Sequence, residues 1–526
     1  MKHHSFRNLL LILLAGFALA PAPASGQRSC ESLASLNIPN VTVTMAKSIA
    51  PPPDFEVPSL PGRYGTPPGL KVSVPFCRVA GFAAPTSDSH ISFEVWLPIA
   101  GNWNGKYLGV GNPGFVGAIG YGGMSREVSR GYATASTDTG HSDTEASGAL
   151  PPWAIGHPEK VADWGYRTVH EMTMAAKQII QAYYGKSPRL SFWSSCHEGG
   201  NQALTEAQKY PKDYDGIAAG DPAYYITHLQ AVSVYLSWVS LKDGVKAPGY
   251  IPPSKYPAIH RAVLDTCDAL DGVRDGIIEN PTSCHFDPAT IQCPAKEDYA
   301  SCLTPAQVQT ARQIYAGAKF ADGTPIYPGL EPGSELDWGM MLGGPDPMAI
   351  NVGFFQNVVF EDPNWDYRTF DVARDTRLAD AKVGAVVNMI DPNLRPFKEN
   401  GGKLLMYQSW QEAAIPPGGL VDYYQRVQAA MGGPNETHNF VRLFMVPGEG
   451  MCSGFGVRGP GAWDAFDVIE KWRETNVAPD KIVTSHRVGG VVDRTHPVCP
   501  YPQAAIYKGT GDPYDAANFT CGIPKR

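Results

Sequence analysis

The residues with the most distinctive chemistry form an acidic loop in the middle of the chain. It reads Asp268-Ala-Leu-Asp271-Gly-Val273-Arg-Asp275-Gly-Ile277, with three carboxylates within eight residues and two interleaved glycines. A hard cation such as calcium takes several oxygen ligands from a tightly turning loop of this kind. The same residues would also suit a solvated acidic turn, and both interpretations stay open at this point.

A second set of reactive side chains, His197 and Glu198, stands directly before a Gly-Gly pair. An imidazole titrates near neutral pH, so His197 could act as a general base. Glu198 could serve as a second acid or base, or contribute through its backbone N–H. The simpler alternative for His197 is a buried polar residue with satisfied hydrogen bonds. For Glu198 the simpler alternative is a solvent-facing charge.

The segments around these residues alternate between strand and helix patterns. Apolar strands are predicted at 91–97 and 107–110, and residues 168–184 have the three- and four-residue apolar spacing of an amphipathic helix. A strand at 189–194 is followed by a sharp turn and a helix at about 201–209. This order is typical of a parallel α/β fold, and it places His197 and Glu198 at the turn.

The chain changes character between about residues 225 and 400. This stretch is rich in proline, glycine and aromatic residues, contains four cysteines within 36 residues and shows little regular periodicity. Strand patterns resume at 403–407 and 440–446. We therefore predict a core built from residues 27–224 and 401–526, with a lid domain inserted at 225–400. The aromatic run at 354–360 could line a pocket or pack in the core of the lid.

The N-terminal segment, residues 1–26, has the three parts of a secretory signal peptide. Lys2 and Arg7 precede an apolar run at 9–20, and small residues follow at 24–26. The apolar run is too short to cross a hydrocarbon layer of about 30 Å, so we expect a secreted or periplasmic protein rather than an anchored one. The ten cysteines all follow this segment, which predicts disulfides formed in an oxidising compartment.

The composition excludes several classes of protein. Of the 526 residues, 43% are hydrophobic and 18% are charged, which is typical of a globular chain. A chain of this length is too long for one domain. The chain has 43 basic and 51 acidic residues, which gives a net charge of −8. It contains no cluster of basic residues, so a nucleic-acid partner is not expected. No segment after the signal reaches 18 uninterrupted apolar residues, so no membrane span is expected in the mature chain.

Longer strings of the sequence resemble the tannase/feruloyl esterase family of α/β-hydrolases. The resemblance extends nearly end to end and is carried by residues 76–80, 93–98, 103–106, 137–141, 156–160, 193–215, 362–367 and 444–448. It implies an α/β-hydrolase core with a large inserted lid. It also implies a phenolic or aromatic small-molecule substrate, such as a galloyl, feruloyl or hydroxyethyl terephthalate ester.

The resemblance also implies how the cysteines pair and what the acidic loop binds. The implied disulfides are Cys30–Cys77, Cys196–Cys452, Cys267–Cys284, Cys293–Cys302 and Cys499–Cys521, although the sequence alone permits other pairings. The implied ligand is a structural calcium ion. Its ligands would be the side chains of Asp268, Asp271 and Asp275 and the carbonyls of Val273 and Ile277.

The family pattern fails at the residues that carry its chemistry. The departures are His197 in place of the nucleophilic serine, Glu412 in place of the triad aspartate, Met451 in place of the triad histidine, and Pro113 in place of a glycine in the oxyanion loop. Proline has no N–H to donate to an oxyanion. Ser194 or Ser195 could act as a substitute nucleophile, but neither would find a base at position 451. The ordinary serine acyl-enzyme route is therefore not expected.

Two functions of different classes remain. In the first, His197 and Glu412 form an acid–base dyad for elimination, isomerisation or water-activated hydrolysis. Glu198 and Glu449 would then be possible second acids or bases, or contributors to oxyanion binding. In the second, the protein is a catalytically silent pseudo-hydrolase that binds an aromatic ligand. We favour the enzyme, because drift would more often leave alanine or glycine than a histidine beside a retained carboxylate.

Overall fold

The structure is a computed structural model that describes residue 1, residues 28–50, 54–59, 66–112, 115, 117–141, 152–295, 297–453, 459 and 461–524. The predicted signal segment, apart from Met1, lies outside the described residues, and so does Pro113. No helix in the described ranges is long and apolar enough to cross a bilayer.

Seventeen strands are present in the described ranges. In chain order they are β1 (Val41–Ile49), β2 (Phe55–Glu56), β3 (Lys71–Val72), β4 (Phe76–Ala83), β5 (Ile91–Pro98), β6 (Lys106–Gly109), β7 (Ala133–Thr137), β8 (Leu190–Cys196), β9 (Gly216–Gly220), β10 (Ala318–Lys319), β11 (Pro325–Tyr327), β12 (Lys403–Ser409), β13 (Val441–Val446), β14 (Ile482–Val488), β15 (Val491–Val498), β16 (Ala504–Tyr507) and β17 (Phe519–Gly522).

Nine of these strands form one sheet in the order β1-β4-β5-β7-β6-β8-β9-β12-β13. The pairs from β1 to β7 are antiparallel, and every pair from β7 to β13 is parallel. The remaining strands form four two-stranded ribbons. The predicted α/β fold class is confirmed by this sheet and the helices that cover it.

The described ranges contain fifteen α-helices. They are α1 (Tyr121–Ser129), α2 (Pro158–Ala162), α3 (Thr168–Tyr184), α4 (Glu198–Lys209), α5 (Ile226–Leu241), α6 (Tyr256–Cys267), α7 (Pro305–Ala316), α8 (Gly339–Leu342), α9 (Ala349–Phe354), α10 (Val372–Ala379), α11 (Ala385–Val387), α12 (Arg395–Glu399), α13 (Gly418–Ala430), α14 (Pro434–Thr437) and α15 (Ala465–Thr475).

Both faces of the sheet are covered by helices, as the residue alternation along β12 shows. Leu404 and Met406 pack in the cluster that contains the apolar faces of α3, α4 and α13. Leu405 points to the opposite face and packs in a second cluster with Phe466 and Ile469 of α15. Successive side chains of a strand point to opposite faces, so a fully apolar strand must be buried on both sides.

The segment between β9 and β12 adds no described strand to the central sheet. Helices α5 to α12 lie there, and α5 to α11 share a separate apolar cluster. The aromatic run belongs to that cluster: Phe354 and Phe355 are fully buried, and the Phe355 ring lies 5.0 Å from the Phe370 ring and 5.9 Å from the Trp365 ring. Core packing is therefore its observed use. The predicted domain boundaries at 225 and 400 stay a prediction.

Candidate active site

The turn between β8 and α4 is made by a single residue. Strand β8 ends at Cys196 and helix α4 begins at Glu198, which leaves His197 with φ 64° and ψ −116°. The His197 N–H donates to the Gly220 carbonyl at 2.9 Å, and its own carbonyl accepts from the Gly200 N–H at 3.0 Å. A non-glycine residue held in this strained conformation at a strand-to-helix turn is typical of a nucleophile elbow.

The two glycines after the elbow are required by close packing rather than by the turn. A Cβ atom on Gly199 would lie 2.0 Å from Ser195 Oγ, and one on Gly200 would lie 2.2 Å from the Gly220 carbonyl oxygen. Both glycines lie inside α4, which starts three residues earlier than predicted. Ser194 and Ser195 are strand residues of β8, so neither occupies the apex of the elbow.

The His197 side chain is an isolated imidazole. Its Nδ1 atom is buried and has no hydrogen-bond partner among the described residues. Burial lowers the pKa of His197 to about 4, because the charged form loses its hydration. The ring is therefore neutral at neutral pH and can accept a proton.

A small cavity opens beside the elbow, between the sheet and the inserted segment. Its volume is about 60 Å³, and it is lined by His197, Glu198, Phe115, Ala223, Leu229, Gln230, Ser233, Met340, Met348, Ile350, Asn351, Ala414 and Ile415. Glu198 accepts a hydrogen bond from Asn201 Nδ2 at 3.2 Å. Burial raises the pKa of Glu198 to about 8, so this group carries a proton at neutral pH. His197 and Glu198 thus offer a neutral base and a neutral acid to one cavity.

Glu412 lies in the loop that follows β12 and is turned back onto that loop. Its Oε1 accepts from the N–H groups of Ala414 at 2.5 Å and Ile415 at 3.3 Å, while Oε2 has no described partner. Burial and the neighbouring Asp221 raise the pKa of Glu412 well above its usual value. The predicted hydrogen bond between His197 and Glu412 is absent from the described contacts, because the carboxyl group is engaged by its own loop.

Asp221 is a buried acid of this region that the sequence analysis missed. It follows β9 with φ 35°, and it is fully buried. Its Oδ1 accepts from the Ser409 N–H at 2.8 Å and its Oδ2 from the Cys452 N–H at 2.6 Å. Burial raises the pKa of Asp221 to about 6. Its place at the carboxyl end of a parallel strand, where functional groups gather, was the available sequence signal.

The predicted triad position Met451 and the acid Glu449 lie on the loop after β13. Met451 is 2% exposed, and its thioether cannot act as a base. Glu449 is buried nearby, and burial raises its pKa to about 8. Asp221 and the two sulfur atoms of Cys196 and Cys452 lie within 4.8 Å of one another. The two sulfurs are bonded to each other, so they are not available as thiolate ligands for a metal.

All five disulfides that the resemblance implies are present. The bonded pairs are Cys30–Cys77, Cys196–Cys452, Cys267–Cys284, Cys293–Cys302 and Cys499–Cys521. No cysteine in the described residues is free. The second pair joins the elbow to the loop that carries Met451, two segments separated by 256 residues of chain.

The acidic loop follows α6 and is closed by the Cys267–Cys284 disulfide. Asp268 accepts from the N–H of Asp275 at 3.2 Å, and Asp271 accepts from the N–H of Val273 at 2.9 Å. Burial and then the neighbouring acids raise the pKa of Asp271 to about 7. The donors are of the kind that calcium binds, although the three loop carboxylates do not meet within 4.8 Å of one another.

Comparison with known proteins places this architecture in one family. The family model described as tannase and feruloyl esterase matches residues 77–522. The chain belongs to the tannase and feruloyl esterase family. This is a family of carboxylic ester hydrolases. The matched residues include both the elbow and the inserted segment. The correspondence of His197, Glu412 and Met451 to the family's catalytic residues stays a prediction.

Individual relatives match over nearly their whole length. An uncharacterized esterase of Xanthomonas campestris pv. campestris is 34% identical, with 98% of this chain and 94% of the relative covered. A probable feruloyl esterase B-2 of Aspergillus oryzae is 31% identical, with 98% and 99% covered. The crystal structure of feruloyl esterase B from Aspergillus oryzae superposes with a TM-score of 0.84 at 27% identity, covering 94% of this chain and all of that one. The α/β-hydrolase fold is confirmed.

Proposed function

We propose that this member of the tannase and feruloyl esterase family acts on a phenolic or aromatic ester by acid–base chemistry rather than through a serine acyl-enzyme. The observation that carries the proposal is the identity of the residue at the apex of the elbow. His197 is a neutral imidazole facing a cavity, and the serines beside it belong to the strand. The names of two relatives as feruloyl esterases support the substrate class.

The pKa values of the two cavity groups are pushed in opposite directions, which is the usual mark of an acid and a base with separate roles. His197 accepts a proton from a water molecule, and the oxygen of that water attacks the ester carbonyl carbon. The bond between this carbon and the alkoxy oxygen then breaks, and the Glu198 carboxyl group protonates the departing alkoxide. The His197 imidazolium then returns its proton to the Glu198 carboxylate through solvent, which restores both groups. The products are a carboxylic acid and an alcohol, so one water is consumed for each ester.

Glu412 has a supporting role in this proposal. Its unpaired Oε2 could orient the imidazole only after the loop at 410–415 shifts, since Oε1 is held by backbone amides. Catalytic hydrogen bonds are often long or absent without ligand and form in the complex. Glu449 is buried on the neighbouring loop and could serve as a second acid in the same way.

The test is to incubate the purified protein with phenolic esters, ethers and lactones and to identify the products by mass. A serine-directed organophosphonate is added in parallel. Ester cleavage without labelling of Ser194 or Ser195 is expected, and cleavage should stop in His197→Ala. Stoichiometric labelling of either serine would overturn the proposal.

A silent binding protein is the second candidate, and the absence of a His197–Glu412 contact favours it. In that case the purified protein should bind phenolic esters without converting them. Binding should then be unchanged in a variant that lacks the imidazole.

We also propose that the acidic loop binds a structural calcium ion. The side chains of Asp268, Asp271 and Asp275 would supply oxygen ligands together with the carbonyls of Val273 and Ile277. The placement of three carboxylates in one short turn, which the Cys267–Cys284 disulfide closes, supports this, because calcium takes several oxygen ligands from such a loop.

Removing calcium with a chelator should lower the melting temperature, because a ligand at 100 times its Kd adds about 2.7 kcal/mol to the free energy of unfolding. Asp271→Ala should have the same effect and should abolish the response to the chelator. Asp265→Ala, an exposed acid on the helix before the loop, is the matched control and should keep the response. An unchanged melting curve, with no metal detected in the protein, would identify the loop as an acidic turn.

Secretion or periplasmic export is proposed on separate grounds. The five disulfides support an oxidising compartment, and the N-terminal segment has the pattern of a signal peptide. N-terminal sequencing of the mature protein should begin near residue 27.

A further inference from the structure

One polar group in the wall of the cavity has no role in the chemistry just described. Gln230 lies in the second turn of α5, is 7% exposed and lines the cavity. Its side-chain oxygen Oε1 is buried without a hydrogen-bond partner in the described structure. Buried carbonyl oxygens are almost always paired, because leaving one unpaired costs the hydration it had in water.

The other two polar residues of the lid side of the cavity use their side-chain donors within the protein. Ser233 Oγ donates to the Leu229 carbonyl at 2.9 Å, within the same helix. Asn351 Nδ2 donates to the Met341 carbonyl at 2.7 Å. Of these three lid residues, Gln230 is the one whose side-chain oxygen is fully buried and without a partner in the described structure.

The surroundings of Gln230 indicate what kind of ligand would supply the missing donor. The cavity wall is otherwise apolar here, formed by Phe115, Leu229, Met340, Met348, Ile350 and Ile415. Apolar walls with one placed polar group are typical of sites that bind a ring and fix its orientation through a single substituent. Methionine side chains are unbranched and adaptable, so Met340 and Met348 can move to admit a ring into a cavity of this size.

Gln230 lines the same cavity as the reacting groups His197 and Glu198. Ala223, three residues before α5, also lines it, and the Ala223 N–H contacts the His197 backbone carbonyl at 3.4 Å. From Ile226 to Gln230 the helix rises about 6 Å, at 1.5 Å per residue. An aromatic ring spans a similar length, so a ligand with its ester at His197 would bring a substituent on the far side of the ring towards Gln230.

We propose that Gln230 is a specificity residue that accepts a hydrogen bond from a hydroxyl group on the aromatic ring of the substrate. This inference rests on the proposed function, because it assumes that an aromatic ester occupies the cavity. A ring without a hydroxyl group would leave Gln230 Oε1 unpaired in the complex, and the cost would appear as weaker binding of that ligand.

The test compares three probes on the full-length mature protein. They are methyl 4-hydroxycinnamate, methyl cinnamate and methyl 4-methoxycinnamate, the last of which has an oxygen acceptor but no donor. We expect the hydroxylated ester to bind roughly 10- to 100-fold more tightly than the other two, measured by calorimetry or as kcat/KM where the ester is consumed. Equal affinity for the hydroxylated and unsubstituted esters would overturn the inference.

Two variants attribute the preference to this residue. Gln230→Leu and Gln230→Met both remove the acceptor, and either should bring the three probes to within a few-fold of one another. Gln178→Leu makes the same change on the exposed face of α3 and should keep the preference. A preference that survives in a folded Gln230 variant would contradict the assignment.

The remaining outcomes separate this inference from the proposed function. If the methoxy ester binds as tightly as the hydroxy ester, Gln230 donates through its amide nitrogen and the acceptor role is wrong. If none of the three probes binds the wild-type protein, the proposed function fails and this inference falls with it. If all bind equally, only this inference fails.

Discussion

Two pairs of buried titratable groups at and near the elbow are used differently. The cavity pair, His197 and Glu198, lines the cavity and makes few hydrogen bonds. The loop carboxyls, Asp221 and Glu412, accept from four backbone N–H groups between them. Burial shifts the pKa of all four, so a perturbed pKa alone does not distinguish a reactive group from one that holds a loop in place.

The difference lies in the spare hydrogen-bonding capacity. A carboxylate with two backbone donors fixes the segments that supply them, as Asp221 does for the loops after β12 and β13. A group that faces a cavity keeps lone pairs or protons for a ligand. The comparison therefore predicts that substitutions in the cavity pair affect chemistry, while substitutions in the loop carboxyls affect the free energy of unfolding.

The largest expected effect is the loss of the cavity pair. His197→Ala should lower the rate on the true substrate by roughly 10²- to 10⁴-fold with little change in melting temperature, because it removes a general base. In the wild type the rate should rise with pH through about 4, as His197 loses its proton, and fall through about 8, as Glu198 does. A pH–rate profile checks both limbs.

The Glu198→Gln variant sharpens this result. It should lower the plateau and remove the alkaline fall, since the amide does not titrate. An alkaline limb that persists in this variant would show that another acid donates the proton. Unchanged turnover in His197→Ala would contradict the conclusion that the cavity pair carries the chemistry.

The next largest effect is expected at Asp221. Asp221→Asn replaces an acceptor of two amides with a group that has one acceptor and one donor, so it should lower the free energy of unfolding by about 1–3 kcal/mol. Denaturant unfolding measures this. Asp422→Asn, an exposed acid on α13, is the matched control and should change it by less than about 0.5 kcal/mol. If both variants unfold alike, Asp221 does not hold the loops.

A smaller effect is expected in how stability depends on pH. Glu449 has a folded-state pKa of about 8, raised above the value of about 4.3 in an unfolded chain. The stability associated with its protonated form is therefore present below about pH 4 and lost as pH rises towards 8. Glu449→Gln should flatten this decline by about 1 kcal/mol or more, whereas the exposed Glu436→Gln should not. Parallel curves for wild type and Glu449→Gln would contradict the assignment.

The smallest effect is expected from restoring only the nucleophile. His197→Ser should not recover serine esterase activity on methyl ferulate or methyl gallate, because Met451 still supplies no base. Adding Glu412→Asp and Met451→His should give at most a trace. Appreciable activity in the single variant would mean that the base lies elsewhere. The assignment of the chemistry to His197 and Glu198 would then be wrong.

The sequence predicted those parts of the site that depend on local pattern. The elbow lies between the predicted strand and the predicted helix, and α3 follows its apolar spacing from Thr168 to Tyr184. The Glu412 contacts could not be predicted in this way. Whether a glutamate reaches across a site or back to its own loop depends on side-chain rotamers and on which N–H groups are open, neither of which has a sequence signature.

Asp221 escaped prediction for a related reason. In the sequence it is one acid before a proline, and such a residue is usually exposed at a turn. Its importance comes from two loops whose residues lie 188 and 231 positions further along the chain. Only the folded sheet brings those segments to the end of β9.

The Cys196–Cys452 bond has a further consequence for the integrity of the molecule. The inserted segment lies entirely between the two bonded residues, so a single peptide-bond cleavage anywhere within it leaves the fragments covalently joined. A protease-nicked protein should therefore migrate as one species on a non-reducing gel and as two after reduction. The elbow and the loop that carries Met451 would therefore stay covalently linked after such a cut.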